Sequence, residues 1–362
     1  MIPCAAPSAP SQPIHVHAAR ENGGCLLVPG WHAWEVGRER WPNGVRRVWD
    51  DWVLACGGVV TQTVEWVEYC LATDYRRALL LASIGEGGTP EAVAAGFLSG
   101  GRWPRRQPMR LHFPAYPSAA GAALPTAASI GMCEEAARRW RGEALTFSGR
   151  GQEDASEMVA SLGYALRPRV EYVIDLTPGE EVLFAGLKRQ HRKNVRRSQS
   201  GGVQVTQATT WEAVRVLRGL QEEVARRHAT RGDAFGLRPA EAYEALHRAL
   251  IAPGLARVYL ASLEGTPVSA SLFLRFGRRA LSLYSGSDAR GLEAYAEYGM
   301  YWQAISDLAR EGCSEVQFGS ADPEATCPGS PAFGLHEYKL GFGAALRHAA
   351  EAEKQLAPGG GA

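Results

Sequence analysis

Lysine is scarce in this chain. Of 39 basic residues among 362, only Lys188, Lys193, Lys339 and Lys354 are lysines. Arginine is used wherever a cation merely has to be present, so a lysine that persists invites a chemical explanation. An ammonium is a compact charge whose pKa can be tuned, whereas a guanidinium stays charged. Net charge is also small. A formal +1 creates no global field for nucleic acid or a membrane surface, so any polyanion site has to be local. No apolar run approaches the roughly 18 residues needed to span a bilayer, and the N-terminus lacks a charged-then-apolar signal pattern. The seven cysteines are odd in number and form no C-x-x-C pair, which fits a reducing cytoplasm. There is no G-x-S-x-G elbow, no H-E-x-x-H and no Walker A lysine loop. His15 and His17 alternate within a Pro-rich stretch expected to be disordered, so no metal site is expected.

A chain of 362 residues exceeds the size at which one core stops growing, which implies two domains. Residues 1–22 are expected to form a disordered Pro-rich tail and residues 351–362 a flexible one, since neither can bury enough apolar surface to offset ordering entropy. Between them, 23–168 and 169–350 each alternate helical patterns with short β-rich runs, an α/β or mixed α+β pattern.

In the first half, helices are expected at 45–54 and 64–71, strands at 78–84, 92–98 and 109–113, a helix at 130–140 and a strand at 144–147. Trp31, Trp34, Trp49, Trp52 and Trp66 read as core. In the second half a strand at 170–176 leads into one helix from Pro178 through Arg197, which Gly201 and Gly202 end. Strands at 256–263, 268–276 and 280–284 look antiparallel. A helix at 298–310, a strand at 315–318 and a Pro/Gly-rich loop then lead to the run Gly334-Leu-His-Glu-Tyr-Lys-Leu-Gly-Phe-Gly343.

Four pieces occur in order. They are the basic segment Lys188 to Arg197 followed by Gly-Gly-Val-Gln-Val205, the strand end Tyr284-Ser-Gly-Ser287, the segment Tyr298-Gly-Met-Tyr-Trp-Gln-Ala-Ile305, and Phe318-Gly319 followed by Tyr338-Lys-Leu-Gly-Phe-Gly343. Together they resemble the Fem-type (FemAB-like) aminoacyltransferases and related acetyltransferase-like proteins, a branch of the GNAT superfamily. The resemblance covers about the last 180 residues. It implies two fused GNAT-like domains with a cleft between them, and a transferase that forms an amide by moving an aminoacyl group from aminoacyl-tRNA to an amine, on a peptidoglycan precursor or a biosynthetic small molecule. No cofactor is expected beyond that donor. An acyl-CoA-dependent N-acyltransferase and a non-catalytic GNAT-like binding protein are the alternatives. The Q/R-x-x-G-x-G/A pyrophosphate cradle of CoA-dependent members is missing from the strand-to-helix junction, and the long charged helical hairpin that some tRNA-using members carry is missing as well.

By this resemblance Lys339 lies at the reacting ester as an oxyanion stabiliser, with Tyr338 and Phe342 shaping the pocket. The bland alternative is a surface lysine paired with Glu337 or Glu297. Asp322, Asp288, His336 and Glu337 are candidates for a general base, and Asp322 is the one carried forward as catalytic. Arg189, Arg192, Lys193, Arg196 and Arg197 share one broad helical face, with no acidic residue between Lys188 and Arg197. That face reads as a phosphate-binding stripe or as a solvated surface. Tyr284, Ser287, Tyr298, Phe318 and Gly319 are the remaining candidate binding residues.

Overall fold

A computed structural model of the chain describes residues 14–17, 29–38, 41–100, 108–232 and 235–356. The chain divides into two compact units, Met1–Arg169 with His348–Ala362, and Val170–Arg347.

In the first unit, β1 (Ile14–His17) lies parallel to β2 (Gly30–Val36). Antiparallel pairing then runs through β3 (Arg77–Ile84), β4 (Pro90–Ser99) and β5 (Arg110–Phe113). The short β6 (Ser118–Ala119) sits on β4, and β7 (Ala144–Phe147) is parallel to β5. Helices α1 (Asn43–Ala55), α2 (Val64–Thr73), α3 (Ala127–Arg139) and α4 (Ser156–Ser161) accompany this sheet. The apolar run Ala78-Leu-Leu-Leu-Ala82 is wholly buried, as a strand covered on both faces requires. Of the aromatic stripe, Trp31, Trp34, Trp49 and Trp66 are buried. The Trp49 indole donates to the Gln62 carbonyl oxygen at 2.7 Å.

In the second unit the strands are β8 (Ala165–Asp175), β9 (Gln204–Ala208), β10 (Ala256–Leu263), β11 (Thr266–Phe276), β12 (Arg279–Ser287) and β13 (Glu315–Ala321). They are ordered β8-β13-β12-β11-β10-β9. All neighbours are antiparallel except β12 and β13, which are parallel. The helices are α5 (Glu180–Gly186), α6 (Arg189–Ser200), α7 (Trp211–Thr230), α8 (Ala240–Leu246), α9 (Ala289–Glu293), α10 (Ala296–Arg310) and α11 (Phe333–Gly341). Residues Val268 to Leu274 of β11 are all buried, so both of its faces are covered, and α7 and α10 both pack against it. Met300, Ala304 and Leu308 of α10 are solvent-free members of this core.

The structure departs from the sequence expectations in three places. The helix expected from Pro178 through Arg197 is two helices, because Leu187 and Lys188 are extended. Leu187 is buried there and the Lys188 amide donates to the Gly341 carbonyl at 2.9 Å, so tertiary contacts replace the helical ones. Residues 351–355, expected in a flexible tail, lie in the final strand, β14 (Ala345–Gln355), antiparallel to β7. The buried Ala349, Ala350 and Ala352 give that strand an apolar side that its charged neighbours hide in the sequence. Ile14–His17, expected in a disordered tail, is strand β1, with His17 Nε2 and His32 Nδ1 2.7 Å apart. The rest of 1–22 and residues 357–362 lie outside the described residues.

The packing of α6 on α11 is tight enough to test. A Cβ on Gly341 would lie 1.9 Å from His191 Cε1. That ring cannot swing aside, being boxed in by Tyr298 and Phe342 and tied to the Tyr338 carbonyl. Gly341→Ala is expected to lower unfolding stability by about 1–3 kcal/mol in urea titration. An unchanged midpoint and slope would show that the contact is slack.

Candidate active site

The site begins where a strand pair fails. β12 and β13 are hydrogen-bonded in register only from Arg279–Glu315 to Leu281–Gln317. Both strands are irregular just beyond. Leu283 is an extra residue in β12, since Phe273 faces Ser282 while Leu272 faces Tyr284. In β13 the register against β8 breaks between Gln317 and Ser320, with Gly319 at φ +79°. Bulges bend a strand and end its pairing, so the two strands part and leave a cavity of about 370 Å³. Ser282 to Ser285 line one side, Phe318 and Gly319 the other, and Glu297 and Tyr301 of α10 with Leu335, Tyr338 and Lys339 of α11 complete it.

Lys339 reaches this cavity because α11 is clamped by α6. Besides the Lys188 amide, His191 Nε2 donates to the Tyr338 carbonyl at 2.9 Å, which requires the Nε2–H tautomer. Lys188 pairs with Glu337 at 2.8 Å, so the alternative of a Lys339–Glu337 surface pair is filled by another lysine. No ion pair to Lys339 is present among the described residues. Its Nζ lies 4.4 Å from the centre of the Tyr172 ring, whose hydroxyl is hydrogen-bonded to His336 Nδ1 at 3.2 Å. An aromatic face favours the charged amine, yet burial outweighs it and brings Lys339 down from 10.5 to about 8. A Cβ at residue 319 would stand 3.6 Å from Nζ. Glycine there serves both the positive φ and access to the amine.

Glu297 is the other charged group in the cavity. Ser287 Oγ donates to its Oε1 at 2.5 Å and is itself hydrogen-bonded to Ser269 at 2.6 Å. Ser269 and Ser287 are fully buried, so the carboxylate is held from behind. Burial and the Glu297 charge both push the Tyr338 hydroxyl well up from its usual range. Tyr301 is raised by burial first, with Glu297 adding to it.

Of the residues singled out in the sequence, Lys339, Tyr284, Phe318, Gly319 and Tyr338 line the cavity. Ser287 supports it from behind. Tyr298 and the buried Phe342 pack against Tyr338. Asp322 does not line it. That residue is exposed, and its carbonyl accepts from Ala325 in the turn Pro323–Thr326. The basic helix is divided in its work. Arg192 donates to the carbonyls of Ala185 and Leu187, closing the end of α5. Arg196 lies over Phe184 and Arg197 over Tyr295, leaving Arg189 and Lys193 as exposed cations without an ion pair among the described residues. Sequence reasoning missed Ser282, Ser285, Glu297 and Tyr301 as site residues. Alternation along β12 could not find the serines, because the bulge at Leu283 resets it. The first-turn position of Glu297, facing the end of strand β12, was the available signal.

Among the described residues no cluster of three or more His, Cys, Asp or Glu is placed to hold a metal, and no helix is long and apolar enough to cross a membrane. Residues 185–340 match a family described as an acetyltransferase (GNAT) domain. No curated protein matches the sequence. Among solved structures, the chain is similar to FemX, at 15% identity and a TM-score of 0.71, over 86% of this chain and 96% of that one. It is also similar to L-PGS from Bacillus licheniformis, at 14% identity and a TM-score of 0.50, over 79% and 85%. A tandem GNAT protein from the clavulanic acid biosynthesis pathway matches at 12% identity and a TM-score of 0.50, over 91% and 100%. Likeness at these identities is one of fold, and it extends over most of the chain. The mixed α/β architecture expected from the sequence agrees with this likeness, and the fold is similar to that of FemX, with a GNAT domain matched over residues 185–340.

Proposed function

We propose that this protein is an acyltransferase that forms an amide bond, taking an aminoacyl group from an aminoacyl-tRNA ester and passing it to an amine. The observation that carries the reading is Lys339, a half-buried amine without a paired anion among the described residues, set in the opening between two parted parallel strands. The acceptor nitrogen attacks the ester carbonyl and forms the C–N bond. The oxygen gains negative charge, which the protonated Lys339 offsets, and collapse breaks the ester C–O bond. The released ribose oxygen takes up the proton that the amine gives away. A preorganised cation of this kind contributes about 2.7–4 kcal/mol to the transition state.

The tRNA ester is preferred over acyl-CoA for an electrostatic reason. A helix N-terminus that receives pyrophosphate needs open N–H groups and no competing anion. Here α10 is preceded by Tyr295, held at φ 54°, and carries Glu297 in its first turn. Exposed Arg189 and Lys193 supply phosphate contacts outside the cavity. The acceptor class suggested by the sequence resemblance is a peptidoglycan precursor or a biosynthetic small molecule, handled in the cytoplasm. The acyl-CoA reading stays in view because the matched domain is described as an acetyltransferase.

Incubation with charged tRNA or acetyl-CoA and a panel of amines, read by mass spectrometry, is expected to give amide product from the tRNA ester alone. Transfer from acetyl-CoA alone would reverse the donor assignment. Lys339→Met is expected to lower kcat by about 10²–10³-fold, and unchanged turnover would remove the oxyanion role.

The same variant has a stability signature. With a folded pKa near 8 against 10.5 unfolded, the unfolded state binds more protons between these values, so stability rises with pH across that window. The cost of burying the ammonium is fully present below pH 8. Lys339→Met is therefore expected to be more stable than the wild type at pH 7, with the gap closing towards pH 10.5. A pH-independent gap in urea denaturation would show that Lys339 titrates normally.

A further inference from the structure

We propose that Glu297 is the donor-recognition residue, its carboxylate receiving the α-ammonium of the aminoacyl group while Lys339 meets the carbonyl oxygen. This inference rests on the aminoacyl-transfer reading above and adds the residue that recognises the group transferred. That group carries a free amine next to its carbonyl.

Three observations converge on the carboxylate. Glu297 lines the same cavity as Lys339. No ion pair joins the two among the described residues, and Lys339 Nζ rests over the Tyr172 ring instead. Each charge therefore remains available to a ligand. Glu297 is also oriented by a buried relay, Ser269 to Ser287 to Oε1, which fixes one oxygen from behind the cavity. Finally, Tyr301 and Tyr338 line the cavity close enough to Glu297 for its charge to raise both hydroxyls. A carboxylate flanked by aromatic faces is a receptor for a small ammonium.

The donor amine fits this receptor better than the acceptor amine. An acceptor has to be neutral to attack, whereas a partly desolvated carboxylate stabilises an amine in its charged form. An aminoacyl ester presents a carbonyl oxygen and an ammonium on adjacent carbons. One cavity with a cation and an unpaired anion in its wall suits that pairing. A plain acyl group would leave Glu297 desolvated without compensation, and such a mismatch is a source of discrimination.

The test uses the full-length protein and two non-hydrolysable probes, 3′-amino-3′-deoxyadenosine bearing an alanyl or a propionyl amide, titrated by calorimetry at pH 6.5. The wild type is expected to bind the alanyl probe about 10- to 100-fold more tightly than the propionyl probe. Glu297→Gln, which keeps an acceptor for Ser287, is expected to bring that ratio close to one. Equal binding of both probes by the wild type would overturn the inference and leave the acyl-transfer reading intact. A preference that survives in Glu297→Gln, or a variant that weakens only the acceptor amine, would overturn it as well. If neither probe binds and acetyl-CoA does, both the inference and the donor reading fall. The wild-type comparison needs no variant, so a folding defect in Glu297→Gln cannot shield the proposal.

Discussion

Hydrogen bonding between β12 and β13 stops after Leu281 and Gln317, and the candidate site depends on that interruption. A continuous parallel pair would bury its backbone groups against each other and leave no opening. Two local irregularities prevent this, the extra Leu283 on one strand and the break at Phe318–Gly319 on the other. Backbone polar groups released this way have to meet a ligand, water or side chains. The cavity is thus set by backbone geometry first, and side chains from α10 and α11 are then delivered to it.

Delivery of Lys339 is a packing problem solved by α6. The segment that reads as a basic stripe in sequence serves structure as much as charge. Lys188 and His191 fasten α11 through its main chain, Gly341 allows the ring of His191 to sit against the helix, and Arg192 closes the preceding helix. Such clamping lets a lysine be held in a partly dry place where its pKa falls. A lysine on a loose surface helix would stay hydrated and fully charged. The same elements therefore connect the order of the chain to the electrostatics of the site.

Much of this was legible in the sequence. Runs such as Ala78–Ala82 and Val268–Phe276 declare themselves as strands, and the closing segment around Lys339 stood out through the rarity of lysine. What escaped has physical causes. β14 mixes alanines with charges, so its apolar side shows only once a neighbouring strand is present. Leu187 and Lys188 have the composition of a helix, and only contacts made more than 150 residues later in the chain pull them straight. Ser282, Ser285 and Glu297 are ordinary residues locally, and a bulge and a helix start bring them to one place. Asp322, by contrast, looked chemical because it follows Phe318-Gly319, and it caps a turn on the surface.

The central claim is that the opening between β12 and β13 is where an acyl carbon becomes tetrahedral beside Lys339. It is tested most directly by a crystal structure with a phosphonate analogue of that tetrahedral intermediate. The account predicts a phosphonyl oxygen 2.7–3.1 Å from Lys339 Nζ, with the analogue lying between Ser282–Ser285 and Phe318–Gly319. An analogue bound elsewhere, with Lys339 still resting on Tyr172 and no anion near it, would contradict the account.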